Sequence, residues 1–230
     1  MQKIVIIGGP PAAGKTAVIS QLIRLLKSDG KSVAVCKIDC LQTRDDESYR
    51  MLGVPAIAGL SRDICPDHFL AANLEEIAAW GIRKAAEILI IETAGLCHRC
   101  APATKKTIAV CVLDCVSSIR VPDKIGPVLT DCDIAVITKG DMVSQAETEV
   151  FWQSVSALNS RAEIVEVNGV TGSGVQYLKR FIDEIDAAHS IVGDELRSDM
   201  PSAICSYCIG ERRIGNMYQQ GVVTKMEIPT

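Results

Sequence analysis

The sequence has no concentrated positive charge and no long apolar segment, and each absence excludes a class of protein. Its formal net charge is −4, and its 24 Lys and Arg residues form no basic run, so we expect neither nucleic acid nor an anionic membrane as a partner. No apolar stretch approaches the roughly 18 residues that a membrane-spanning helix requires. The N-terminus leads into a strand pattern rather than a signal peptide. We therefore expect a soluble, cytoplasmic protein.

Cysteine, by contrast, is abundant, with ten residues in a chain of 230. In a reducing compartment, paired cysteines indicate metal or redox chemistry rather than structural disulfides. Cys36, Cys111 and Cys132 lie in or beside apolar strands and are expected in the core. Cys40 and Cys115 lie nearer strand ends, where the sequence leaves a core position and a position behind a binding site equally open.

Short apolar runs alternate with helical patterns along the chain. This alternation predicts an α/β fold with a mainly parallel central sheet and helices on both faces. The predicted strands are 3–8, 32–37, 87–93, 107–113, 134–138 and 163–167, and the predicted helices are 16–27, 67–86, 145–158 and 174–188. Residues 1–188 are predicted to form the main domain, residues 189–203 a polar linker, and residues 204–230 a short C-terminal tail with a Cys-x-x-Cys pair.

A phosphate-binding loop is predicted between the first strand and the first helix. Gly9-x-x-x-x-Gly14-Lys15-Thr16 follows an apolar run and opens an amphipathic segment, which is the context that this motif requires. Backbone N–H groups and the helix end would hold the phosphates. Lys15 would reach the outer phosphates, and the Thr16 hydroxyl would coordinate Mg²⁺. The residues expected to surround the nucleotide here are Gly9, Pro10, Pro11, Ala12, Ala13, Gly14, Lys15, Thr16 and Ala17.

Other candidate residues lie where predicted strands end, the edge at which such sheets bind ligands. Asp39 and Glu92 follow two strands, where Mg²⁺ and an attacking water need negative charge. Gly95 permits a backbone N–H to approach the terminal phosphate. Thr138-Lys139-Gly140-Asp141 puts a carboxylate, that of Asp141, where it could accept hydrogen bonds from guanine, with the Lys139 stem over the base. Asn168-Gly169 ends the sixth predicted strand.

Together these residues resemble the metallochaperone GTPases of the SIMIBI class: the urease accessory G protein, the hydrogenase-maturation nickel GTPase and the cobalamin-synthesis W family. The resemblance to the urease-accessory type covers residues 1–186. It rests on "GGPPAAGKT", "CKIDCLQTRDD", "ICPDHF", "IIETAG", "VLDCVSSIRVPDKIGPVLTDCDIAVITKGDMV" and "VNGVTGSGV".

The resemblance implies slow hydrolysis of GTP with Mg²⁺, a homodimer that forms around the nucleotide, and transfer of a metal ion to a client metalloenzyme or another maturation protein. It implies catalytic roles for Lys15, Asp39 and Glu92, the last at the position of the switch II glutamate, with Thr16 and Asp39 as the Mg²⁺ ligands. Two departures weaken the preference for guanine: Thr138 replaces the usual Asn, and Asn168-Gly169 replaces the usual Ser-Ala pair. The loop also lacks the extra lysine of the nitrogenase iron-protein branch, and we favour GTP over ATP.

Three segments are candidate ligands for a transition metal or cluster. Cys65-Pro66-Asp67-His68 stands where the urease accessory protein carries a Cys-Pro-His motif that binds nickel or zinc; the alternative is an ordinary helix N-terminus with His68 exposed. Cys97-x-x-Cys100 follows Gly95 so closely that a change at the γ-phosphate would act on it. Cys205-x-x-Cys208 would complete four thiolates, within one chain or across a dimer axis. The spacing allows zinc or a [4Fe–4S] cluster.

The sequence therefore predicts a nucleotide-switched GTPase for metal insertion or metallocofactor maturation. Two alternatives stay open. One is an iron–sulfur or redox protein gated by nucleotide. The other is a small-molecule kinase, because "GPPAAGKT" also resembles nucleotide-kinase loops, although the arginine-rich lid of such kinases is missing.

Overall fold

The computed structural model describes residues 1–95, 100–187, 190–200, 210–215, 217–218 and 224–229. Its centre is a seven-stranded parallel sheet in the order β3-β2-β4-β1-β5-β6-β7. The strands are β1 Lys3–Gly8, β2 Val33–Asp39, β3 Ala56–Leu60, β4 Ile88–Glu92, β5 Ile108–Asp114, β6 Ile134–Thr138 and β7 Glu163–Val167. The helices are α1 Lys15–Ser28, α2 Asp45–Met51, α3 Pro66–Arg83, α4 Val121–Lys124, α5 Pro127–Thr130, α6 Gln145–Leu158 and α7 Val175–Glu184.

The predicted α/β fold with a parallel sheet is confirmed. The sequence did not predict the edge strand β3, the single-turn helices α4 and α5, or α2, whose sequence "DDESYRM" has no helical run of apolar residues. The last predicted helix is too long, since α7 ends at Glu184. Among the described residues, no helix is long and apolar enough to cross a membrane.

The sheet separates two apolar layers, and β4 shows how the sequence produces them. Ile88 and Ile90 face the layer that contains α1 and α7, whereas Leu89 and Ile91 face the layer that contains α3. All four side chains are buried, because a central parallel strand is covered on both faces. This packing fixes the carboxyl ends of β1, β2 and β4 side by side, where the predicted site residues lie.

Parts of the predicted linker and tail pack against the rest of the fold and form hydrogen bonds with it. Leu196 is fully buried, and Arg197 donates to both carboxylate oxygens of Asp133 at 2.8 and 2.7 Å. Farther on, Asn73 of α3 accepts from the Met226 backbone N–H at 2.8 Å. Residues 190–200 thus pack as part of the main body, while the division of the chain at residue 188 stays a prediction.

Candidate nucleotide and metal site

The loop between β1 and α1 has the shape of an anion cradle. Gly9 and Gly14 have φ angles of 135° and 91°, and a Cβ at Gly9 would come within 2.0 Å of the Val112 carbonyl oxygen. The Lys15 ammonium is buried and donates to the carbonyl oxygens of Gly9 and Pro10 at 2.9 Å each. Burial lowers the pKa of Lys15, and the nearby Glu92 carboxylate opposes that shift. Lys15 therefore bridges the loop at the place where phosphates would bind.

Gly95 joins the end of β4 to this loop. It has a φ of 75°, and a Cβ there would lie 2.0 Å from the Gly9 carbonyl oxygen and 2.7 Å from the Lys15 ammonium. Only a glycine can approach the loop so closely in this backbone conformation. Gly95 therefore packs directly against the phosphate-binding loop.

Five side chains from the phosphate loop, β2, α2 and β4 form what we call the cation cluster: Thr16, Lys37, Asp39, Asp45 and Glu92. The Thr16 hydroxyl lies 2.9 Å from a Glu92 carboxylate oxygen and 3.4 Å from one of Asp45. The Lys37 ammonium lies 2.9 Å from Glu92, 3.1 Å from Asp45 and 3.9 Å from Asp39. One hydroxyl and three carboxylates supply the oxygen ligands that Mg²⁺ prefers, so the residues present fit this ion.

Two members of the cation cluster, Lys37 and Asp45, were missed from the sequence. Asp45 begins a helix that carries no apolar signal, and Lys37 looks like the polar end of a strand. The Lys-x-Asp spacing in "CKIDC" was the available signal for Lys37, because alternate residues of a strand share a face.

Glu92 is held from several sides. Its carboxylate is 1% exposed, and besides Thr16 and Lys37 it accepts from the Tyr49 hydroxyl at 2.6 Å. Burial and the Glu92 charge raise the pKa of Tyr49, which stays a neutral donor. Helix α2 is thereby tied, through Tyr49, to the same carboxylate that the phosphate loop contacts.

The predicted base-reading segment braces the phosphate loop. The buried Thr138 hydroxyl contacts the carbonyl oxygens of Ala13 at 2.7 Å and Leu113 at 3.2 Å. Lys139 has a φ of 59° and donates to the Ala12 carbonyl oxygen at 2.8 Å. Thr138 therefore holds the phosphate loop through Ala13, a structural role that was not predicted from the sequence.

The remaining base-side residues lie at the same edge of the sheet. Asp141 is exposed and lines a cavity of about 710 Å³ together with Trp152. Asn168 accepts from two backbone N–H groups of its own loop at 2.9 Å each, which shapes that loop. A Cβ at Gly169 would lie 2.9 Å from the Ala17 side chain, so this loop packs on the start of α1.

Three of the predicted transition-metal ligands come together in what we call the thiol cluster: Cys65, His68 and Cys100. The segment is a helix N-terminus, as the alternative predicted, with Cys65 as the cap of α3 and Pro66 in its first turn. His68 is buried, however, so its predicted exposure is wrong. The Cys100 Sγ lies 3.7 Å from His68 Nε2. A hydrogen bond from Cys100 lowers the pKa of Cys65 to about 5, against the effect of burial.

The other predicted ligands, Cys97, Cys205 and Cys208, lie outside the described residues. Within the part of the chain that the structure describes, no group of three or more His, Cys, Asp or Glu side chains is arranged to hold a metal ion. The thiol cluster is therefore an incomplete ligand set. Thiolate and imidazole are nevertheless the donors that zinc and nickel select.

Asp67 connects the two clusters electrostatically. Burial raises the pKa of Asp67 to about 8; the Cys65 thiolate raises it too, whereas the Lys15 ammonium lowers it. The pKa of this carboxyl group is thus affected by one residue of the phosphate loop and one of the thiol cluster. Burial also lowers the pKa of His68, which favours the neutral imidazole that binds metals.

The remaining described cysteines differ from the thiol cluster. Cys36, Cys111 and Cys132 are buried, which confirms the prediction that they belong to the core. Of the two that the sequence left open, Cys115 is buried and Cys40 is partly exposed. Burial raises the pKa of Cys132 to about 12 and that of Cys115 to about 11, so these thiols stay protonated at neutral pH.

Residues 3–166 match the family described as CobW/HypB/UreG, nucleotide-binding domain. The chain belongs to this family. Its members are P-loop GTPases, and the family points to a nucleotide-dependent metallochaperone, as the sequence predicted.

Two relatives match this chain to different extents. An uncharacterized protein of Methanocaldococcus jannaschii is 47% identical over 225 residues, which is 98% of this chain and 96% of the relative. Urease accessory protein UreG 1 of Saccharopolyspora erythraea is 30% identical over 169 residues, covering 69% of this chain and 67% of the relative. The first match therefore includes residues beyond 166.

Solved structures of the family share the fold. HypB from Archaeoglobus fulgidus aligns with a TM-score of 0.62 at 21% identity, over 79% of this chain and 90% of that one. HypB from Helicobacter pylori, solved in complex with nickel, aligns with a TM-score of 0.61 at 19% identity, over 80% of this chain and 86% of that one.

Proposed function

We propose that this chain is a cytoplasmic GTPase whose nucleotide state controls a transition-metal site, and that it delivers metal or a metallocofactor to a client enzyme. The observation that carries the proposal is the pairing of two clusters at one edge of the sheet. Asp67, in the first turn of α3, is buried, and the charges of Cys65 and Lys15 act on its pKa in opposite directions. Family membership supports the same conclusion.

The nucleotide would bind over the loop between β1 and α1. Lys15 would exchange its two carbonyl partners for phosphate oxygens, and loop N–H groups would hold the remaining phosphate charge. Asp141 would accept hydrogen bonds from guanine, with the loop at Asn168 and Gly169 beside the base. Thr138 and Lys139 would keep the loop in place for this contact.

Thr16, Asp39, Asp45 and Glu92 would hold Mg²⁺. The ion, when bound, supplies positive charge that offsets the charge of the β- and γ-phosphates. Glu92 would orient the attacking water or sense the γ-phosphate, because its carboxylate is fixed by the Tyr49 hydroxyl. Turnover is expected to be slow without a partner, since the sequence offers no arginine obviously placed to act in cis.

The γ-phosphate would act on the metal site through Gly95. The Lys15 ammonium lies against Gly95, so a phosphate that displaced this ammonium would change the surroundings of Gly95. Cys100 follows Gly95 by five residues, and a shift of Gly95 would be passed along this short segment. The thiol cluster would be one part of the site; Cys97, Cys205 and Cys208 would supply further thiolates, within one chain or across a homodimer axis. Residues 204–230 would then act as a metal-binding tail on the GTPase domain 1–188.

Elemental analysis tests the proposal most broadly. Protein purified without oxygen should contain zinc or nickel, or iron with sulfide, in an amount that changes when GTP and Mg²⁺ are added. Cys97→Ala should abolish this nucleotide-dependent change and spare GTP affinity. If the variant instead has the same metal content as the wild type, with and without GTP, the link through Gly95 is refuted.

Nucleotide choice needs a separate test. Asp141→Asn should weaken GTP binding by about 10-fold while ATP binding stays the same, because the carboxylate accepts two hydrogen bonds that only guanine offers. Asp123→Asn, at another exposed carboxylate, is the matched control. Equal GTP affinity in both variants would contradict the assignment of Asp141.

A further inference from the structure

Lys37 occupies a place that the family resemblance did not assign. It lies on β2 beside Glu92 of β4, in register with it, and its side chain shares the face of Val33 and Val35 that packs towards α1. The residue is only 5% exposed, and its ammonium points at neighbouring carboxylates instead of at solvent.

The carboxylates around this ammonium come from three separate elements. Glu92 is on β4, Asp45 opens α2 and Asp39 ends β2, at distances of 2.9, 3.1 and 3.9 Å from Nζ. The Thr16 hydroxyl contacts two of these same carboxylates. Lys37 thus occupies the carboxylates that, together with the Thr16 hydroxyl, would hold a phosphate-bound cation.

The charge of the cluster explains why a lysine is stable there. Its ammonium pairs with the carboxylates of Glu92 at 2.9 Å and Asp45 at 3.1 Å, and these two ion pairs offset the cost of burying the charge. Three carboxylates with this one ammonium carry a formal charge of −2. Among the described residues, Lys37 is the ammonium within ion-pair distance of all three carboxylates, and without it such a cluster of oxygen ligands would attract divalent cations more strongly.

We propose that Lys37 is a place-holding cation: it partly neutralises the carboxylates of the cation cluster in the nucleotide-free protein and yields them only when a divalent cation arrives with a nucleotide. This inference rests on the nucleotide site of the proposed function. The phosphates add the negative charge and the extra oxygen ligands that let the divalent ion displace the ammonium.

The exchange would also change what holds α2. Asp45 is paired with Lys37 in the nucleotide-free protein. If the ammonium moved away, Asp45 would be able to hold the divalent ion, and α2 would then be tied to the nucleotide rather than to β2. Lys37 thereby makes divalent-ion binding dependent on nucleotide, and it couples that binding to a helix next to the phosphate loop.

The test measures metal affinity without nucleotide. Mn²⁺ binding to the nucleotide-free protein, followed by electron paramagnetic resonance, should be at least about 10-fold tighter in Lys37→Met than in the wild type, because a repelling charge at about 3 Å is removed. Lys31→Met, at an exposed lysine paired with Glu87, should bind Mn²⁺ as the wild type does. Equal, weak binding in all three proteins overturns the proposal.

A second measurement uses the wild-type protein and does not depend on the folding of the variant. The side-chain ¹⁵N resonance of the Lys37 ammonium should shift when Mg²⁺ is added with a non-hydrolysable GTP analogue, and should not shift with Mg²⁺ alone at the same concentration. A resonance unchanged by the complex overturns the place-holder role. Failure of calorimetry to detect binding of the complex to the wild type would instead refute the proposed nucleotide site.

Discussion

The cation cluster and the thiol cluster lie at the same edge of the sheet but stabilise their negative charge in different ways. In the cation cluster, the Lys37 ammonium neutralises Glu92 and Asp45 directly. In the thiol cluster, the Cys65 thiolate is favoured chiefly by a hydrogen bond from Cys100 and by backbone N–H groups of α3. The first cluster already contains a cation that can be exchanged, whereas the second presents a soft, partly stabilised anion that a metal ion would stabilise much further.

This difference assigns separate tasks to the two clusters. Hard oxygen ligands with a built-in ammonium suit a site that changes with the nucleotide. Thiolate and imidazole ligands suit a cargo metal whose retention depends on the number of ligands in reach. Asp67 is influenced by both sites, because the charges of Cys65 and Lys15 act on its pKa in opposite directions.

Removal of a thiolate should give the largest effect and divide the clusters cleanly. Cys65→Ser is expected to weaken Zn²⁺ binding by at least about 100-fold, because loss of a ligand costs more than the roughly 10- to 100-fold of an outer-shell change. GTP affinity should not change. A competition assay with a chromophoric chelator measures the first quantity and calorimetry the second; Cys115→Ala is the control, and equal Zn²⁺ affinities in the two variants would contradict the role of Cys65.

Removal of the loop ammonium should give the reverse pattern. Lys15→Ala is expected to weaken GTP binding by about 10- to 100-fold, since charge-assisted hydrogen bonds to phosphate are lost. Zn²⁺ affinity measured without nucleotide should stay the same. A loss of Zn²⁺ affinity comparable to the loss of GTP affinity would show that the clusters are not separable.

The support of Glu92 can be tested through stability. Tyr49→Phe removes a buried hydroxyl that donates to the Glu92 carboxylate. Its free energy of unfolding in urea should fall by about 1.5–3 kcal/mol, the usual cost for a hydrogen bond to a charged group. Tyr177→Phe, at a half-exposed tyrosine, should change it far less, and equal losses would argue against a special role for Tyr49.

The pH dependence of alkylation should show the smallest change. With a pKa of about 5, Cys65 is a thiolate above that pH and becomes protonated below it. In metal-free protein, its iodoacetamide rate should therefore change less than about twofold between about pH 6 and 8, whereas an ordinary thiol gains about 100-fold. Peptide mass spectrometry gives the rate for each cysteine. Cys132 should stay unmodified, and a Cys65 rate that climbs about tenfold per pH unit would contradict the stabilised thiolate.

The sequence predicted those parts of the site that depend on local pattern. The phosphate loop has a fixed spacing between a strand and a helix, and Cys65-Pro66 carries its own helix-start signal. Asp45 and Tyr49 could not be predicted, because their roles come from contacts with Thr16 and Glu92, which lie 29 and 43 positions away in the chain.

Dependence on contacts between distant residues also explains which parts of the fold were not predicted. Strand β3, AIAGL, has five residues of which only Ile57 is β-branched, and it is defined by its pairing with β2. The proximity of Cys100 to His68 joins residues 32 positions apart, which no local spacing specifies. Residues 190–200 looked polar, yet Leu196 and Met200 within them are buried against the α3 layer.

The most direct test of the central claim is the Zn²⁺ affinity of the wild-type protein with and without a non-hydrolysable GTP analogue and Mg²⁺. If the nucleotide controls the thiol cluster, the two affinities should differ by at least about fivefold, the lower end of typical coupling between sites. The difference should vanish in Lys15→Ala at analogue concentrations that leave this variant unbound. Identical Zn²⁺ affinities in saturated and nucleotide-free wild-type protein would contradict the account.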